Sequence, residues 1–328
     1  MNIAIIKNKK YWLGFSGVLL LTCVIFIFIF GLKLGIDFTG GSLLEVKINS
    51  DTSFEARVVT EKLESLDFLE SAKVQPTENN GLFIRMKTLT EEEHQSVLVA
   101  LEEMVKPENA TDETPATTEN EVVNTEEATT SEKAPAESLI IEQRFESIGP
   151  VIGSEMARKS IYAIIFVLVG IISYLAWAFK KVGSDVSPWK FGACAIFALI
   201  HDLLIVVGVF ALLGKVLNVE IDTMFITALL TVLGFSVHDT IVVFDRVRYN
   251  LLRNAGDNFA DTVNLSVNQT IVRSINTSVT TLLVLLALYF LGGATISWFV
   301  LALIVGIIAG TYSSIFFASP ILVAWQKK

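Results

Sequence analysis

Six predominantly apolar stretches, at 11–30, 161–179, 191–213, 221–244, 271–291 and 296–323, alternate with polar and charged ones along this chain. Each is long enough to cross the roughly 30 Å hydrocarbon core of a bilayer as a helix. Lys7, Lys9 and Lys10 precede the first. Its apolar core is longer than that of a signal peptide and no small-residue cleavage site follows, so it reads as an uncleaved first span. Apart from Lys215, the basic residues of short loops (Lys180, Lys181, Arg246, Arg248, Arg253, Lys327, Lys328) fall on the side of the N-terminus. Six spans with that bias predict both termini in the cytoplasm.

Between the first two spans the period changes. Residues 43–49 read as a strand, and 53–66 as a helix with Ser53 at its N-cap. Residues 72–75 and 82–86 form a hairpin about Glu-Asn-Asn-Gly. Residues 90–105 open on Thr-x-x-Glu, a capping box, and 139–145 alternate as a last strand. The order β-α-β-β-α-β is the ferredoxin-like pattern. The expected fold is therefore an α-helical membrane protein with six transmembrane helices and a small α+β ferredoxin-like domain outside the cytoplasm. Span one lies within 1–30, the domain over 31–159 and a five-helix bundle over 160–328.

Composition agrees, with 52% hydrophobic and 18% charged residues. The net charge of −9 is local, since nine acids stand against Lys133 alone between Glu108 and Glu137. Residues 107–137 are too poor in apolar side chains to fold and are expected to be a disordered acidic insert. No basic patch points to nucleic acid. Cys23 and Cys194 sit in apolar runs, and His94, His201 and His238 lack a zinc spacing. No nucleophile-and-base constellation or phosphate loop is present, so the chain is not read as an enzyme. No metal is implied, and the only cofactor-like species is the proton.

The chemistry lies inside the spans. Asp202, beside His201, falls near the middle of the third, and Asp239, beside His238, about 9 Å (~1.5 Å per residue) from the end of the fourth. A carboxylate in hydrocarbon costs about 2.5–3.5 kcal/mol on insertion scales, and marks an ion or proton path. Arg273 opens the fifth span, with Thr277 four residues on along the same face. An aspartate and an arginine at matching depth can pair, and separating them frees the carboxylate to take a proton. Residues 255–268 read as a mixed helix or loop. In the sixth span Ala302, Gly306, Gly310, Ser314 and Ala318 recur in steps of four, a stripe for close helix packing. Asp37, Gly40 and Gly41 form a structural turn after span one, the glycines allowing backbone angles closed to other residues.

Taken together, LGIDFTGG after span one, His-Asp in span three, GFSVHDTIVVFDRVR in span four and an arginine thirty-four residues after its aspartate resemble the SecD/SecF family, on its SecF side, within the resistance-nodulation-division superfamily. The resemblance covers nearly the whole chain except 107–137, which departs from the family pattern. It implies an accessory subunit in the bacterial inner membrane that pairs with SecD. Such a subunit assists the SecY translocon and its associated membrane insertase, and uses the proton-motive force to draw preproteins outward through a lipid bilayer. It places the functional membrane carboxylate at Asp239 and its arginine at Arg273, with a further carboxylate on SecD. Two alternatives stay open: a proton-coupled small-molecule exporter subunit of the same superfamily, and a non-transporting membrane assembly scaffold.

Overall fold

A computed structural model describes residues 3–48, 56–69, 71–77, 81–105, 140–179 and 187–326. The expected acidic insert, the cap at Ser53, the Glu78-Asn79-Asn80 part of the hairpin turn and the lysines at 180–181 and 327–328 lie outside these. The chain forms two compact units, Ile36–Ser154 and Met1–Gly35 with Glu155–Lys328.

The smaller unit is a four-stranded antiparallel sheet in the order β2-β3-β1-β4. It opens with α2 (Ile36–Thr39), a single turn, and continues as β1 (Gly41–Ile48), α3 (Ala56–Glu64), β2 (Lys73–Thr77), β3 (Gly81–Met86), α4 (Glu91–Val105) and β4 (Ile140–Ile148). This is the ferredoxin-like arrangement. Alternation along β1 turns Leu44, Val46 and Ile48 to one face. There they meet Ile84, Val59 and Leu63 of α3, and Val97 and Leu101 of α4. The capping box forms, with Glu93 N–H donating to Thr90 Oγ1 (3.3 Å) and Thr90 N–H to Glu93 Oε2 (2.8 Å).

The expected structural turn is α2 followed by two glycines with positive φ, +74° at Gly40 and +130° at Gly41. A Cβ on Gly40 would lie 2.7 Å from Pro150 Cα, and one on Gly41 2.9 Å from the Met86 carbonyl. Left-handed strain of about 1–2 kcal/mol adds here to a clash with backbone. Gly40→Ala is therefore expected to destabilise the sheet unit by about 3 kcal/mol. Amide exchange of β1 and β4 in the full chain measures this, and unchanged protection would contradict it.

Among the described residues, six helical runs are long and apolar enough to cross a membrane. They are α1 (Lys9–Phe30), α5 (Pro150–Ala178), α6 (Pro188–Val216), α7 (Thr223–Leu252), α8 (Phe259–Leu291) and a sixth made of α9 (Ala294–Ser313), a π-helical turn (Ser314–Ala318) and α10 (Ser319–Gln326). Several run past their apolar stretches. The second begins at Pro150, so the expected domain border at 159 falls inside a helix. The mixed segment 255–268 is mostly the start of α8, capped by Asn258, which accepts from Asp261 N–H at 3.0 Å. Its polar residues hold the start of the chain: Asn268 exchanges two hydrogen bonds with the Ile3 backbone (2.7 and 2.9 Å), and Asn264 accepts from Ile6 N–H (3.2 Å). Close helix approach recurs at small residues. A Cβ on Gly208 would lie 2.5 Å from Cys23 Cβ of α1, and one on Gly306 2.1 Å from Val232 Cγ2 of α7.

Candidate functional site in the helix bundle

Asp202 sits fourteen residues from either end of α6 (188 to 202, 202 to 216) and is 1% exposed. Its Oδ2 accepts from Ser236 Oγ of α7 at 2.5 Å and from Ser313 Oγ of α9 at 2.7 Å. Its Oδ1 lies 3.0 Å from Nδ1 of His201. A buried carboxylate needs such partners, and these three join three helices. His201 is stacked on Phe317 of the π-helical turn, with centroids 4.4 Å apart, and on Tyr312 of α9. Tyr312 in turn shares a 2.9 Å hydrogen bond with Ser16 of α1.

One turn along α7 from Ser236 stands Asp239, 3% exposed. α7 continues past the apolar stretch to Leu252, so Asp239 lies thirteen residues (239 to 252) from the helix end. Its Oδ2 accepts from Thr311 Oγ1 of α9 at 3.3 Å. Thr311 Oγ1 also lies 2.5 Å from Ser278 Oγ of α8 and 2.9 Å from the Ile307 carbonyl. Thr311 has one hydroxyl hydrogen. It can donate to an ionised Asp239 or to Ile307, and in the second case a protonated Asp239 can donate to it. The hydroxyl of Ser274 on α8 is buried and makes no hydrogen bond among the described residues. Asp239 is thus less fully partnered than Asp202.

The expected pairing of Asp239 with Arg273 is not formed in this conformation. Arg273 is exposed, as are Asn276, Thr277 and Thr280. Of the polar residues from Arg273 to Thr281, Ser274 and Ser278 are the buried ones. A one-residue step turns a helix by about 100°, so Arg273 and Ser274 look in different directions. Thr277 donates to the Arg273 carbonyl (3.0 Å) and stays on that outer face. Gly306 and Gly310 are buried, with Val232 and Ser236 of α7 as their nearest neighbours. Asp37 lies in α2 and is half-buried. Sequence reasoning missed Thr311 and Ser313. Isolated hydroxyls in apolar runs were the signal. Among the described residues no cluster of three or more His, Cys, Asp or Glu side chains is placed to hold a metal ion.

The start of α7 is anchored as well. Gly35 N–H donates to the Ile221 carbonyl and Ile221 N–H to the Lys33 carbonyl, both at 2.8 Å, and Lys33 Nζ reaches Asn218 Oδ1 at 2.5 Å. The next residue, Asp222, caps α7 by accepting from Phe225 N–H at 2.8 Å.

Fold and site define a polytopic helical membrane protein with a ferredoxin-like domain between its first two spans and two carboxylates buried among its helices. Residues 128–328 match the family described as protein export membrane protein SecD/SecF, C-terminal, and residues 25–51 match the SecD/SecF GG motif. The chain is 42% identical to the protein translocase subunit SecF of Thermobaculum terrenum over 99% of this chain and 95% of that one. It is 36% identical to SecF of Anaerolinea thermophila over 98% and 94%. A crystal structure of SecDF from Thermus thermophilus, described as a translocon-associated membrane protein, superposes with a TM-score of 0.76 at 30% identity. That match covers 100% of this chain and 39% of the SecDF chain. The chain belongs to the SecD/SecF family, among its SecF members, and is a multi-pass protein of the bacterial inner membrane.

Proposed function

We propose that this chain is the SecF-type accessory subunit of a Sec translocase, working with a SecD-type partner, and that it converts proton flow into helix movement at Asp239. The observation that carries the proposal is the hydroxyl of Thr311, placed between Asp239 and the Ile307 carbonyl so that its single hydrogen has two uses. When Asp239 is ionised, Thr311 turns to it and ties α9 to α7. When Asp239 takes a proton, the charge-assisted bond is lost, Thr311 turns its hydrogen back to the Ile307 carbonyl of its own helix, and the neutral carboxyl can donate to Thr311 in its place. Charge-assisted bonds are roughly twice as strong as neutral ones, so the two protonation states favour different spacings of α7, α8 and α9. Asp202, with three partners, keeps α6, α7 and α9 in register through the change.

The outer face of α8 supplies the second part of the reading. Arg273, Asn276, Thr277 and Thr280 are exposed on a helix otherwise apolar enough for lipid. Such a face calls for a polar partner in the membrane, and a SecD-type subunit bearing a carboxylate is the partner proposed. The basic residues of the short loops support an orientation with both termini in the cytoplasm and the sheet unit outside. The relatives' names join SecF to protein translocation, which favours a preprotein over a small exported compound as cargo.

The test uses membrane vesicles that hold this chain, the SecD-type partner and the SecY translocon, with a preprotein arrested part-way after ATP is removed. An imposed proton gradient is expected to move the preprotein outward, and a protonophore to stop it. An equal gradient-driven increment in vesicles lacking the chain would overturn the proposal.

A further inference from the structure

At the far end of α7, Arg246 and Arg253 lie over the same tyrosine ring. Their guanidinium carbons are 5.1 and 4.3 Å from the Tyr249 centroid. Neither makes an ion pair among the described residues, whereas Arg248, between them in sequence, is paired with Asp245 at 2.7 Å. The helix therefore spends its local carboxylate on one arginine and leaves two like charges gathered on a single ring. Arg246 is also held from behind. Its Nε donates to Gln269 Oε1 of α8 at 2.6 Å, and the buried Asn250 donates to that same oxygen at 2.9 Å. Gln269 is thus fixed as an acceptor, and the remaining guanidinium N–H groups of Arg246 are left for an anion.

The position says which anion. From Thr223 to Arg246 is 23 residues of continuous helix, roughly 35 Å at about 1.5 Å per residue, just beyond the ~30 Å hydrocarbon core. On α8, Val272, three residues after Gln269, is 61% exposed, as a lipid-facing residue would be. Tyrosine is favoured at this depth, where its ring is apolar and its hydroxyl wet. We infer that Arg246 and Arg253, positioned by Tyr249 and Gln269, bind the phosphate of an anionic phospholipid headgroup at the bilayer surface.

The full chain in nanodiscs of phosphatidylcholine with a minor fraction of phosphatidylglycerol tests this, reading spin-labelled phosphatidylglycerol against spin-labelled phosphatidylcholine at the protein surface. The native chain is expected to select phosphatidylglycerol. The pair R246Q/R253Q should lower that selectivity at least about fivefold, the factor corresponding to ~1 kcal/mol for one basic residue near an anionic surface. Y249L, which keeps every charge but removes the ring that gathers them, should lower it as well, and R248Q should leave it unchanged. Native selectivity in R246Q/R253Q, or an equal fall in R248Q, would overturn the inference, the latter because net charge alone would then suffice. Displacement of the labelled lipid by soluble glycerol phosphate would overturn the lipid assignment and leave a site for free phosphate esters.

Discussion

Vesicles carrying Asp239→Asn are expected to lose gradient-driven export by roughly two orders of magnitude. An ionised carboxyl among these helices costs about 2.5–3.5 kcal/mol on insertion scales, and that swing sets how far protonation can shift the balance between two arrangements. Asparagine is neutral in every state and delivers none of it. It is close to isosteric and can still meet Thr311 Oγ1, the 3.3 Å partner of the native carboxylate, so the bundle should keep its thermal midpoint. ATP-driven export should also persist. Native gradient-driven export from Asp239→Asn vesicles would remove Asp239 from the mechanism.

Gly306→Leu should act in the opposite order, on assembly first. A Cβ there already falls 2.1 Å from Val232 Cγ2, and a full leucine must push α9 from α7. Overpacking of this kind costs about 1–3 kcal/mol or more, and the displacement carries Thr311 and Ser313 away from Asp239 and Asp202. Both the midpoint in detergent and export should fall. Adding Val232→Ala should restore part of each, because it removes the two methyls nearest the new side chain. A native midpoint in Gly306→Leu would show that the close approach of α7 and α9 is dispensable. The two variants together separate a proton-driven subunit from a passive scaffold, which would tolerate Asp239→Asn and fail only with Gly306→Leu.

The six spans and the β-α-β-β-α-β order could be read from the sequence because burial periods of 3.6 and 2 are written locally. What could not be read depends on partners far along the chain. Asn264 and Asn268 look like loop residues until Ile6 and Ile3, more than 250 residues earlier, supply the backbone groups they bind. Within its own span Asp202 shows only His201 as a partner, because its two hydroxyl donors are 34 and 111 residues away. Arg273 was placed by depth alone, and helical phase, which the buried Ser274 and Ser278 fix, turns it outward. The π-helical turn did leave a trace. Pro320 has no N–H for the carbonyl of Phe316, and the ladder just before it widens, with Ser319 Oγ donating to the Ser314 carbonyl at 3.1 Å. All five positions of the stripe in steps of four, Ala302 to Ala318, are buried across that turn.

The paired amides of Gly35 and Ile221 form a seam between two parts of the chain 186 positions apart (35 to 221). On one side of it begins α7, the helix that carries Asp239, and on the other the polypeptide continues into the sheet unit at Ile36. Because the seam is made of main-chain amides, replacing a side chain there leaves it in place unless the new residue is proline, which has no N–H to give.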